Sequence, residues 1–66
     1  MKYFIYLVYR GERFLMVESD SATAITAEER RLRAKYPLAM VELSHRHLIN
    51  MGKGPAHLDA IYPRES

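Results

Sequence analysis

The fold turns on residues 3–17, YFIYLVYRGERFLMV. The stretch reads as two strands and a tight turn. Its first half is apolar on both faces, whereas a strand with one wet face alternates. Strand one is expected over residues 2–10 and strand two over residues 13–18, with Gly11-Glu12 as the loop. Glycine at the first central position marks a type II′ turn, whose twist suits a hairpin. That loop predicts a register in which Arg10 faces Arg13, Tyr9 faces Phe14, Val8 faces Leu15, Leu7 faces Met16 and Tyr6 faces Val17.

Past the hairpin, Asp20 or Ser21 can cap a helix by accepting a bond from an orphan amide. Thr26 and Glu29 make a second, later capping signal. A start near Ala22 is favoured, because residues 22–27 hold good helix formers and set Ile25 on one face with Leu32 and Tyr36. Pro37 stops the helix at Tyr36. The apolar stripe is narrow, so the helix should lie on a sheet. A third strand is expected over residues 38–43, with a continuation to 49 left open. Along it Val41, Leu43, His45, His47 and Ile49 share one face, and Met40, Glu42, Ser44 and Arg46 the other. Residues 50–55 read as a loop. Residues 57–62 fit either a fourth strand or one helical turn, and 63–66 a flexible tail. The expectation is a single small domain, residues 1–66, of the α+β class. It has an antiparallel three- or four-stranded sheet (hairpin, helix, returning strand) with one helix packed on one face.

With only 66 residues, such a domain buries about 60% of the surface its unfolded chain exposes. There is no cysteine to staple it, which suits a reducing, cytoplasmic setting. Ten basic against eight acidic residues leave a net charge of +2, thin for a dedicated nucleic-acid binder. The apolar run at the N-terminus is rich in tyrosine, ends at Arg10 and precedes no small-residue cleavage site, so no signal peptide is expected. No run approaches the ~20 apolar residues of a membrane span.

Chemistry-bearing patterns are weak. His45 and His47 would point the same way on a strand, with His57 and Asp59 as further candidate ligands. Their spacing matches no closed zinc site, and no metal or cofactor is expected. Gly52-Lys53-Gly54 lacks the Ser or Thr that a phosphate loop places after its lysine. Ser44 and His45 are neighbours on a strand and face apart, and helix capping accounts for Glu28 and Glu29. No catalytic residue, enzymatic activity or small-molecule substrate is therefore expected. Arg30, Arg31, Arg33 and Lys35, with Arg46, supply an alternative reading as a small basic nucleic-acid-binding domain. Against it, acids early and bases late in a helix suit its dipole.

The hairpin leaves one apolar face more than one helix can cover. Tyr3, Ile5, Leu7, Tyr9, Phe14 and Met16 line one side, and Phe4, Tyr6, Val8, Leu15 and Val17 the other. The second set is more compact, and the helix is expected there, with the opposite face left open as the alternative. The first six then form a candidate protein-interaction surface, covered by the C-terminal segment, a second copy or another protein. The layout around residues 13–25, RFLMVESDSATAI, resembles that of small accessory proteins of phages and mobile elements, anti-CRISPR proteins among them. That resemblance implies a non-enzymatic inhibitor that occupies a surface of a host complex. It carries over no functional residue.

Overall fold

The chain folds in the order β1 (Tyr3–Tyr9), β2 (Glu12–Ser19), α1 (Ala22–Lys35), β3 (Met40–Ser44) and α2 (Pro55–Ile61). This computed structural model describes residues 1–46 and 55–63. His47, the continuation of β3 to Ile49, the loop over 50–54 with Gly52-Lys53-Gly54, and the tail residues 64–66 lie outside the described residues. The strands form one antiparallel sheet in the order β2-β1-β3, and the fold is α+β. β1 is the central strand, and both its faces are buried along the middle: Ile5 and Leu7 on one, Phe4 and Tyr6 on the other. Its doubled apolar pattern is that of an interior strand.

The hairpin corrects the expected turn. Tyr9 pairs with Glu12, so the loop is Arg10-Gly11 and not Gly11-Glu12. Both loop residues have positive φ, 54° and 79°, the geometry of a type I′ turn. Leu7 faces Phe14, Val8 faces Arg13 and Tyr6 faces Leu15. This register slides the partners by two residues, which leaves the faces unchanged. It centres Phe14 on the sheet and avoids setting Arg10 against Arg13, a like-charge pair. The register then slips between Ile5 and Tyr6, since Ile5 pairs with Val17 and Met16 is left over as a bulge. Met16 and Val17 both pack on the core as a result, although alternation assigns Val17 to the far face.

The core also corrects the expected helix position. Ile5, Leu7 and Phe14 pack with Ile25, Leu32 and Tyr36 of the α1 region and with Leu58 of α2. α1 therefore covers the tyrosine-bearing face rather than the side of Phe4, Tyr6, Val8 and Leu15. β2 and β3 both run antiparallel to β1, hence parallel to each other, which makes α1 a crossover connection. Crossovers of this kind are right-handed in nearly all sheets, and that hand admits one face only, however compact the other is. Phe4 and Tyr6 stack on the opposite face with centroids 6.4 Å apart.

Local chemistry sets the helix ends. Ser21 is the N-cap, its hydroxyl accepting from the Ala24 N–H at 3.2 Å. The Thr26 hydroxyl instead donates back to the Ala22 carbonyl at 3.0 Å, inside the helix. The Tyr36 N–H closes the last turn on the Leu32 carbonyl at 2.8 Å. Residues 57–62 take the helical option: α2 starts at Pro55, where a missing N–H costs nothing. Leu58 and Ile61, three apart, turn together to the core.

Arg13 of β2 reaches over β1 to Glu42 of β3. Its Nε lies 2.7 Å from Glu42 Oε1, and its Nη2 donates to Oε2 at 3.3 Å. The Nε and Oε1 atoms are sealed from solvent, with no further partner. Replacing Arg13 by Met alone strands the carboxylate and should cost about 1–3 kcal/mol. Adding Glu42→Leu should recover most of that loss, because an apolar pair needs no desolvation. Urea denaturation of the double-mutant cycle reads the coupling. Additivity within ~0.5 kcal/mol would show that the pair does not tie the edge strands together.

Candidate protein-interaction site

The six residues of the expected surface do not form an open patch. Ile5, Leu7 and Phe14 are fully buried under the helices, and Tyr3, Tyr9 and Met16 are half-buried against the same core. The tyrosines stand at the ends of β1, where their rings find partners. Tyr3 lies against His45 and Tyr9 against Tyr62, each with centroids 5.0 Å apart. The C-terminal segment thus takes part in covering this face, through Leu58 and Tyr62.

Two tyrosine hydroxyls latch α2 in place. Tyr36 donates to Asp59 Oδ1 at 2.6 Å, and Tyr62 accepts the Leu38 N–H at 2.8 Å. Burial, reinforced by the bond to Asp59, pushes the Tyr36 phenol up to about 12. Its ordinary value is 10.0, so the protonated form is favoured in the folded state. The stability this contributes is complete below pH 10 and is lost as pH rises through 12. Tyr36→Phe should remove that part of the alkaline loss, as followed by thermal melts in this window. Parallel melting curves for the two proteins would contradict the latch.

The helix cations are largely engaged. Arg31 pairs with Glu28 at 2.6 Å and Arg33 with Glu29 at 2.7 Å. The Lys35 ammonium sits 5.4 Å from the centroid of the Tyr36 ring. Arg30 and Arg46 are exposed, on α1 and on the turn after β3. The two described histidines do not converge: His45 packs on Tyr3 at one end of the sheet, and His57 stacks on Phe14 near the hairpin turn at 5.8 Å. Among the described residues no three His, Cys, Asp or Glu side chains gather where a metal ion would fit.

The structure brings forward a set that the sequence reading missed. β2 and β3 are the two edges of the sheet, and they differ. β2 carries the bulge at Met16, which twists an edge away from partners. It also carries Glu12 and Glu18, the latter in an ion pair with Lys2 at 3.0 Å. Charges and bulges of this kind are the usual guards of an edge strand. β3 has a regular register and one charged residue, Glu42, which is neutralised by Arg13. Among the described residues no strand lies on its outer side. The exposed large apolar residues beside it are Leu38 (67%), Met40 (69%) and Leu43 (51%). Leu43 also borders a groove of about 220 Å³ with Tyr3, Ile25, Thr26 and His45. The signal in the sequence is LAMVELS (38–44), apolar on both faces with a single charge.

No family model matches this chain, and no curated protein or solved structure matches it. No described helix is long and apolar enough to cross a membrane.

Proposed function

We propose that the chain is a small non-enzymatic protein-binding module that adds a partner's extended strand to the outer edge of β3. One observation carries this reading: among the described residues nothing pairs with the outer edge of β3, which lies beside the exposed Leu38, Met40 and Leu43, while β2 carries a bulge and charges. Strand addition draws its affinity from main-chain hydrogen bonds and its specificity from alternate side chains. Leu43 and the groove beside it would receive such side chains on the helix side of the sheet. A module of this kind inhibits a larger complex by occupying one of its strands, the role that the layout resemblance implies.

Capture of a partner from lysate of the producing cells, with and without nuclease, tests the reading. Capture should survive nuclease and should fail for Met40→Lys or Leu43→Lys, since lysine on an edge blocks pairing. Both positions are exposed, so far-UV circular dichroism should be unchanged. Capture that is lost with nuclease, or with Arg30→Ala in place of the edge variants, would instead establish nucleic-acid binding through α1.

A further inference from the structure

We infer that α2 is a clasp on the turn ahead of β3, so that docking of α2 and occupation of the β3 edge rise and fall together; the second half of this rests on the strand-addition reading above. α1 ends at Lys35 and β3 begins at Met40. Residues 36–39 join them and set how the exposed Leu38 and Met40 are presented. Within this turn the Ala39 N–H bonds back to the Tyr36 carbonyl at 3.1 Å.

Two further ties reach it from the C-terminal helix. Asp59 accepts the Tyr36 hydroxyl at 2.6 Å, and the Tyr62 hydroxyl accepts the Leu38 N–H at 2.8 Å. The Tyr62 ring also stands edge-on to the Tyr36 ring, with centroids 5.0 Å apart. The turn is thus gripped at Tyr36 and again at Leu38, by residues far along the chain.

The grip makes the turn and α2 one two-state element. α2 is seven residues long and can open without the sheet. When it leaves, Tyr36 and Leu38 lose their acceptors together. Of the bonds named above, the one from Ala39 to Tyr36 is left. A strand arriving at the β3 edge meets Met40 at the mouth of this turn, and it must then order the turn as it binds, which lowers its affinity. Linkage is reciprocal: a strand seated on the edge holds the turn, and with it α2.

Native-state amide exchange reads the clasp without a partner. In the intact chain the Leu38 amide should exchange through the same opening as the Tyr62 amide, which bonds to the Leu58 carbonyl at 2.8 Å, and faster than the amides of β1. Pro37→Gly separates the cases. Pro37 is exposed, and glycine in its place widens the freedom of the open turn. If turn and helix open together, exchange of the Tyr62 amide should rise about two- to fivefold. An unchanged Tyr62 rate overturns the clasp, because α2 would then open with the turn still closed. For the edge, Asp59→Ala combined with Tyr62→Phe removes both ties and keeps Leu58 in the core. Partner capture that is sensitive to Met40→Lys should fall about twofold or more in this double variant. Capture at the level of the unaltered chain overturns control of the edge by α2. Capture indifferent to Met40→Lys ends strand addition and control of the edge with it, and the exchange result then decides the clasp alone.

Discussion

Phe14→Ala is expected to remove most of the stability of this protein. Globular domains hold about 0.05–0.15 kcal/mol per residue, which for 66 residues amounts to about 3–10 kcal/mol. Truncating a buried phenylalanine costs about 3–5 kcal/mol, through lost burial and the cavity left behind. Phe14 is fully buried opposite Leu7, and His57 stacks on its ring. It sits where β2, α1 and α2 meet, so there is little loose structure to collapse into the gap. Urea denaturation should show a midpoint lowered by a third or more of its value with an unchanged slope. A loss below ~1 kcal/mol would mean that the core is centred elsewhere.

Leu58→Ala is expected to release α2. The helix is seven residues long, and isolated helices shorter than ~12–15 residues are marginal in water. Its position rests on Leu58 in the core, the Tyr36–Asp59 bond and the Tyr62 hydroxyl on the Leu38 amide. Leu→Ala in a core costs about 2–5 kcal/mol. Here part of that cost should appear as local opening, because α2 can detach while the sheet and α1 stay folded. Amide exchange in α2 should accelerate well beyond that of β1, and an apolar dye should bind the uncovered Tyr9, Phe14 and Met16. Tyr62→Phe, which loses one hydrogen bond and keeps the ring, should accelerate α2 exchange far less. Equal acceleration throughout the chain after Leu58→Ala would make α2 an inseparable part of the core.

The fold was legible in its coarse features because each had a local cause. Ser21 and Pro37 bracket α1, and Ile25, Leu32 and Tyr36 mark its buried stripe. What escaped was decided by parity and by hand. Sliding the hairpin by two residues leaves every side chain on its original face, so alternation alone cannot distinguish Gly11-Glu12 from Arg10-Gly11 as the loop. The bulge at Met16 changes the parity of Val17 without a glycine to announce it. The face chosen by α1 follows from crossover chirality, a property of the whole β2-α1-β3 unit. That single choice moved the candidate site. With Tyr3, Ile5, Leu7, Tyr9, Phe14 and Met16 turned inward, the exposed large apolar groups among the described residues are, besides Met1, those on and beside β3, and β3 is recognisable as an edge only once β1 is known to lie in the middle.

The most direct test of the open β3 edge is a photoreactive amino acid placed, one chain at a time, at three positions. These are Met40 on the β3 edge, Glu18 on the β2 edge and Arg30 on the helix cations. Irradiation of each chain in its producing cells should give a protein adduct, with a second copy or another chain, from position 40 and none from 18 or 30. Adducts from 18 or 30, with none from 40, would contradict the account.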